Sequence, residues 1–206
     1  MMLAVENMST KRLFDLTVSV LGLLILSPLL LIISLCILFD SGRPIIYRQE
    51  RVGKDWKHFV LYKFRTMNFQ MTEDDPACSP RNDRRISRVG RYLRKYKFDE
   101  LPQLLNVLKG DMSFVGPRPE LPKFVNYYSD DYKDILKIRP GITDLASIKF
   151  KDESLLLDKK PDEVEKFYIS TVLPKKLEYN KEYLGEKGFF YDISLIFKTI
   201  YSMIFK

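Results

Sequence analysis

Asp99 and Glu100 form an adjacent pair of carboxylates between a basic run and a leucine-rich stretch. Ten residues past Glu100 begins Gly110-Asp111-Met112-Ser113-Phe114-Val115-Gly116-Pro117-Arg118-Pro119. A carboxylate can attack phosphorus or help hold a hard cation such as Mg2+. A guanidinium can grip phosphate oxygens with two parallel bonds. Prolines on both sides of Arg118 restrict the backbone from which it approaches. Together these residue types suit chemistry on a phosphate ester with a metal ion. Other chemistries lack their parts. His58 is the only histidine and sits near Trp56 and beside Phe59, which reads as a surface or packing residue. A zinc site or a Ser-His-Asp triad is not expected from it. Cys36 lies in an apolar run and Cys78 in a polar one, so neither a disulfide nor a cysteine metal site is expected.

The charge is concentrated just before the carboxylate pair. The 206-residue chain has a net charge of +7, which favours anionic partners such as a membrane surface, a nucleotide or nucleic acid. Arg81, Arg84, Arg85, Arg88, Arg91, Arg94, Lys95 and Lys97 fall in one segment with a single acid, Asp83. That segment alone carries an excess as large as the whole chain's.

The elements that position these groups begin with an apolar segment. Leu16 to Phe39 is 24 residues without a charge, and 17 of them are Leu, Ile, Val or Phe. This is long enough to cross a bilayer, and those side chains favour insertion by roughly 5–10 kcal/mol. Lys11 and Arg12 precede the run, and Arg43, Arg48, Arg51, Lys54 and Lys57 follow it. Positive flanks tend to stay cytoplasmic. A straight spanning anchor breaks that tendency at one end, whereas a re-entrant helix bent at Ser27-Pro28 satisfies it at both. Proline removes a backbone donor, and Ser27 can satisfy the freed carbonyl. A signal peptide fits less well, because no good small-residue cleavage site follows. The sequence thus divides into an N-terminal region, 1–42, with a re-entrant membrane helix broken at Ser27-Pro28, and a membrane-associated domain, 43–206.

Beyond the apolar run, Ile45-Ile46-Tyr47 and Phe59 to Arg65 read as short strands or extended segments, with a turn at Gly53-Lys54-Asp55. Asn68 to Pro80 is polar and reads as a loop. Ile86, Val89, Leu93 and Tyr96 recur at helical spacing between the arginines, a cationic amphipathic segment weakened by Gly90. It suits core packing with a solvated basic face, or lipid headgroups, or a nucleotide diphosphate. Asp99 reads as a helix N-cap, with Glu100 and Pro102 in the first turn and Leu101, Leu104, Leu105 and Leu108 as the apolar stripe. Such a helix N-terminus would keep a carboxylate ionised. Pro140-Gly141 marks a turn. Phe189 to Phe205 reads as an interfacial helix or a packing helix. The expected fold class is α/β (α+β): a mostly helical small domain with an N-terminal membrane helix and interfacial amphipathic helices.

Five ordered blocks carry a resemblance. They are Lys63-Phe64-Arg65-Thr66-Met67, Asp99-Glu100-Leu101-Pro102-Gln103, Asn106 to Ser113, Val115-Gly116-Pro117-Arg118-Pro119, and Arg139-Pro140-Gly141-Ile142-Thr143. The chain, from about residue 10 to 145, resembles the bacterial sugar transferase family of monotopic phosphoglycosyl transferases. The segment around Ser27-Pro28 also looks like that family's re-entrant helix. The resemblance implies transfer of a sugar phosphate from a UDP-sugar to a polyprenyl phosphate such as undecaprenyl phosphate, with release of UMP. The product would start a membrane-bound glycan such as an exopolysaccharide, O-antigen, capsule or glycoprotein glycan. It implies Asp99 as nucleophile, forming a phosphosugar-aspartate, and Glu100 as a Mg2+ ligand. Lys63, Arg65, Arg94 and Arg118 are the candidate phosphate-binding residues. Asp111 is a weaker metal candidate, because an Asp after Gly110 also serves turns. Arg65 is divided between phosphate contact and membrane-surface charge. The implied location is the cytoplasmic face of a bacterial inner membrane among phospholipids, with both termini cytoplasmic. No nucleic-acid partner is expected, and a homodimer stays open.

Two departures stand out. Asp144-Leu145-Ala146-Ser147-Ile148 replaces the family's common Gly-Trp-Ala-Gln-Val, and Lys97-Phe98 replaces Ser-Leu. The first bears on sugar and nucleotide selectivity. Two competing classes are a membrane-anchored nucleic-acid binder using Arg81 to Lys97, and a non-catalytic assembly partner. The first gives no reason for adjacent acids beside the basic run, and intact Asp99, Glu100 and Arg118 argue against the second.

Overall fold

The computed structural model of the chain describes residues 2–68, 83–128, 130–150 and 161–204. Most of the expected polar loop, together with Cys78 and Arg81, falls outside the described residues.

Helix α1 (Met2–Ser41) is 40 residues long and runs unbroken through Pro28. The physical reason lies one residue earlier. Pro28 has no N–H to give to the carbonyl of Leu24, and the Ser27 hydroxyl donates to that carbonyl at 2.7 Å, so the helix loses no acceptor partner. Leu24, Ile25, Leu31, Ile32 and Phe39 are exposed, and the stretch Thr10–Ser41 is long and apolar enough to cross a membrane. An apolar belt this continuous on a helix buries itself in lipid or in a partner.

Both ends of α1 are tied to the following domain. Near its start, Arg12 donates to the carbonyls of Val107 and Leu108 at 2.7 and 3.1 Å. Asp15 accepts from the backbone of Phe114 at 3.2 Å. Near its end, Asp40 accepts from the N–H of Val89 at 3.1 Å. Ile33 and Ile37 pack with Phe64 and Leu93.

Strands β1 (Ile46–Val52) and β2 (His58–Phe64) lie where short strands were expected, the first running further than Tyr47, and form an antiparallel hairpin that pairs Ile46 with Phe64 and Val52 with His58. Side chains alternate across a strand. Leu61 therefore faces Val107 and Met112, while Phe64 faces the membrane helix and Leu93. Lys63 shares the face of Leu61.

Helix α2 (Arg88–Lys95) is the amphipathic basic segment, N-capped by Ser87, whose hydroxyl accepts from Gly90 at 3.0 Å. Its glycine has a specific reason. A Cβ at Gly90 would lie 2.1 Å from the carbonyl oxygen of Thr66, so only glycine lets α2 press against the end of β2. A 3-10 segment (Phe98–Gln103) then leads into α3 (Leu104–Lys109), which ends at Gly110 with φ 93°.

Strands β3 (Ser113–Val115) and β4 (Gly141–Thr143) pair in parallel. Gly141 thus starts a strand where the sequence reads as a turn. A Cβ at Gly116 would meet the carbonyl of Arg139 at 2.4 Å, and one at Gly141 would meet the N of Gly116 at 2.1 Å. The two proline-glycine motifs are therefore halves of one close backbone crossing. Helix α4 (Pro122–Val125) follows β3, and α5 (Leu145–Lys149) follows β4.

The remaining described chain is helical. Helix α6 (Pro161–Phe167) passes through a π turn (Tyr168–Val172) into α7 (Leu173–Glu186), and α8 (Phe189–Ile204) follows. Tyr168, Val172, Leu173 and Leu177 build the largest core with Val52, Phe124 and Val125. Helix α8 packs on one side, as the packing alternative expects. Leu195 is fully buried against Val115, Leu145 and Tyr183, while Phe190, Phe197 and Tyr201 are exposed.

Candidate active site

Asp99 and Glu100 lie in the 3-10 segment, which packs against β2. A sharp reversal sets it there. Lys97 occupies the position before the segment with φ 58°, a left-handed conformation uncommon for a residue with a side chain. Asp99 is consequently inside the first turn rather than at its cap. This corrects the expectation from sequence. Pro102 follows in the same short segment.

Both carboxylates are buried, each 8% exposed, but their surroundings differ. Lys63 on β2 and Arg118 beyond β3 both reach Glu100 Oε1, at 3.1 and 2.5 Å. Burial works to raise the Glu100 carboxyl, yet the Arg118 and Lys63 charges override it and hold it well below the usual carboxylate range. Asp99 Oδ1 is buried with no hydrogen-bond donor. Burial, with the Glu100 charge adding to it, pushes the Asp99 carboxyl up. Burial thus works against the ionised form that the sequence reading ascribed to a helix terminus. Lys63, Lys97 and Arg94 oppose the shift without reversing it.

Lys63 is lowered by burial despite the attraction of Glu100. Arg94 on α2 donates through Nε to the Thr66 hydroxyl at 2.9 Å, a contact that the missing Cβ of Gly90 permits. Burial lowers it too, while Asp99 and Asp83 raise it. Asp99, Glu100, Lys63, Arg94 and Arg118 are therefore one cluster, its carboxylates buried and its cations half-buried, drawn from β2, α2, the 3-10 segment and the loop after β3.

Two other candidates lie apart from it. Arg65 donates to the carbonyls of Arg43 and Gly42 at 2.7 Å each, and also to Ser41. Its guanidinium closes the C-terminal end of α1, where backbone carbonyls lack partners. Asp111 follows the left-handed Gly110, and its N–H donates to the carbonyl of Asn106 at 3.0 Å. That is the turn role. Among the described residues no three His, Cys, Asp or Glu side chains gather into a metal site. A metal ion would rely on the carboxylate pair and on oxygens brought by substrate and water. The donor-free Asp99 oxygen and the carboxylate of Glu100 are hard oxygen ligands that fit such an ion.

Comparison with known proteins agrees with the motifs. The family model described as "Bacterial sugar transferase" matches residues 6–206. The chain belongs to this family. A Klebsiella pneumoniae UDP-glucose:undecaprenyl-phosphate glucose-1-phosphate transferase is 36% identical over 203 residues, covering 95% of this chain and 40% of that protein. An Aeromonas hydrophila UDP-N-acetylgalactosamine-undecaprenyl-phosphate N-acetylgalactosaminephosphotransferase is 33% identical, covering 94% and 43%. A Salmonella typhimurium undecaprenyl-phosphate galactose phosphotransferase is 40% identical, covering 69% and 33%. The chain thus spans between a third and under half of the length of these curated relatives, and their named sugars differ.

Several residues of this sugar transferase chain carry structural work that its motifs do not announce. Asn106 accepts from the N–H of Tyr62 at 3.0 Å and donates to the carbonyl of Val60 at 2.7 Å, locking α3 to β2. Lys11 donates to the carbonyl of Val115 at 2.9 Å and pairs with Asp192, locking α1 to β3 and α8. Asp144, in the departure from the family pattern, is a buried N-cap that accepts from Ser147 at 3.0 Å. Its second oxygen is buried without a partner.

Proposed function

We propose that the chain transfers a sugar phosphate from a UDP-sugar to undecaprenyl phosphate in two steps. The observation that carries this is the asymmetry of the pair in a member of this family. Glu100 is gripped by Lys63 and Arg118, while Asp99 keeps a buried oxygen with no donor. A carboxylate oxygen not drained by hydrogen bonds retains its nucleophilicity.

In the first step Asp99 attacks the sugar-linked phosphorus. An oxygen–phosphorus bond forms, the bond to the bridging oxygen breaks, and UMP leaves. In the second step a phosphate oxygen of undecaprenyl phosphate attacks the same phosphorus. Asp99 departs as carboxylate, and the lipid diphosphate sugar is released. Lys63, Arg94 and Arg118 bind phosphate oxygens and offset charge on the transferring group. Mg2+, when bound, neutralises diphosphate charge, and Glu100 would hold it. Asp111 and Arg65 are assigned no role in the transfer.

The membrane helix is re-entrant in this reading, with both termini on the cytoplasmic face. Support comes from the ties at its two ends. A straight α-helix from Arg12 to Ser41 would be about 44 Å long. Arg12 bonds Val107, next to Asn106, which bonds Tyr62. Only three residues further along, Arg65 bonds Ser41, a step of about 10 Å in a strand. A straight helix would demand that every linking side chain be fully extended along one line. A helix bent within one leaflet also holds the site at headgroup depth, where a lipid phosphate resides.

The test is release of UMP from UDP-glucose, UDP-galactose and UDP-N-acetylgalactosamine with Mg2+ and undecaprenyl phosphate. Turnover with one of them, lost in Asp99→Asn, is expected. No turnover with any, in membranes that retain the full chain, would count against the reading.

A further inference from the structure

Two residues beyond Arg118 lies a second buried charge cluster that the transfer steps do not use. Glu120 and Lys176 are each 6% exposed, and their ion pair spans 3.0 Å inside the largest core. Tyr168 donates to the same Glu120 oxygen at 2.7 Å, and Lys176 donates to the Tyr168 hydroxyl at 3.0 Å. The three groups close a triangle between the loop after β3, the π turn and α7.

A buried ion pair is a poor way to gain stability, because desolvation offsets most of the attraction. Apolar residues of the same volume would fill this core as well. The surroundings of the pair suggest what it sets instead. The backbone on either side of Arg118 is fixed at three points. Gly141 donates to the carbonyl of Pro117 at 3.0 Å. Arg51 donates to the carbonyl of Pro119 at 2.9 Å. Val52 donates to the carbonyl of Glu120 at 3.0 Å. Proline at 117 and 119 removes two N–H groups that would hold this loop, so beyond the N–H of Gly116, which donates to the carbonyl of Thr143 at 3.1 Å, its placement depends on its carbonyls and on the side chain of Glu120. That side chain is anchored from α7, more than fifty residues away in sequence. At the loop's centre Arg118 reaches Glu100 at 2.5 Å.

We infer that the Glu120–Lys176–Tyr168 triangle is a positioning device that aims Arg118 at Glu100 and at the transferring phosphate. Glu120 and Lys176 touch no substrate; they act through Arg118. The charge pair specifies one register of the loop, whereas an apolar pair would fill the space without specifying it. The inference rests on the transferase reading above for its kinetic arm only.

The full chain in nanodiscs provides the test, with UDP-glucose, UDP-galactose and UDP-N-acetylgalactosamine as probes. Glu120→Gln is made alone and in an Arg118→Lys background, and Glu120→Leu is combined with Lys176→Met as an apolar pair. Glu120→Gln is expected to lose at least tenfold in kcat/KM for UDP-sugar. The apolar pair is expected to melt at or above the wild-type temperature while keeping that loss. Adding Glu120→Gln to Arg118→Lys should cost less than twofold more, since a residue acting through Arg118 has little left to disturb. Full kcat/KM in Glu120→Gln or in the apolar pair, or losses that multiply with Arg118→Lys, would overturn the inference. A crystal structure of the apolar pair reads the same claim without turnover. The Arg118–Glu100 contact should be lost there, and its retention would overturn the inference. Wild-type chain that turns over no UDP-sugar would refute the transferase reading and leave this structural arm to decide the positioning claim.

Discussion

Asp99 and Glu120 are both buried carboxylates in one small domain, yet they are solvated by the protein in opposite ways. Glu120 receives an ammonium and a phenol hydroxyl on one oxygen. Burial acts to raise its carboxyl, but Lys176 and Arg51 hold it below the usual range. Asp99 has an oxygen with no donor and a carboxylate for a neighbour, and its carboxyl is pushed up. A saturated buried charge fixes structure. An unsaturated one costs stability and remains available to a substrate. The difference separates the region that reacts from the region that aims.

The largest effect expected from breaking this contrast is on turnover. Asp99→Asn should lower UMP release at least a thousandfold, because the amide cannot form the acyl phosphate bond. Arg118→Ala should follow with a loss of about a hundredfold in kcat/KM, as for removal of one preorganised charge contact. The same assay with all three UDP-sugars checks both.

Stability should respond in the reverse order. Asp99 has a folded pKa above its unfolded one, so its penalty grows as pH rises through the folded value. Asp99→Asn should therefore raise the melting temperature at pH 7, with the gain vanishing in acid, where Asp99 is protonated in both states. Glu120 has a folded pKa below its unfolded one, so its contribution is present above the ordinary Glu range and is lost as pH falls through the folded value. Glu120→Gln should cost about 3 kcal/mol at pH 7, the order expected on breaking a buried pair, and less as pH falls. Calorimetry across pH distinguishes the two signs; like signs would erase the contrast.

A smaller effect concerns the rate profile. The raised Asp99 carboxyl predicts that kcat/KM falls on acidification starting above the usual aspartate range, since only the ionised form attacks. A profile flat down to ordinary aspartate pH would mean that Asp99 titrates normally. The smallest effect on chemistry is expected at Arg65. Arg65→Ala removes charged hydrogen bonds at the end of α1, worth about 2 kcal/mol, and should lower the melting temperature while leaving kcat within threefold.

The reacting region was legible in the sequence because its parts sit in short ordered motifs. Asp99, Glu100 and Arg118 carry their own local signatures, and alternation in β2 points Lys63 inward. Arg65 lies in an equally clear motif but serves the end of α1, which only the folded chain brings near. The aiming region was illegible for the same reason. Glu120 and Lys176 look like surface charges until the loop after β3 meets α7. Asp99 read as a helix cap because nothing local predicts a left-handed lysine at 97. Gly90 read as a weak point in a helix, and its purpose appears only when α2 touches Thr66.

Everything in this mechanism turns on a bond between Asp99 and phosphorus. Its most direct measurement is rapid-quench release of UMP from the active UDP-sugar with Mg2+ and no lipid acceptor. A burst approaching one UMP per chain is expected, with a matching phosphosugar mass increase on the peptide holding Asp99 and neither signal in Asp99→Asn. UMP that appears only after undecaprenyl phosphate is added, with no modified peptide, would contradict it and establish direct transfer in a single step.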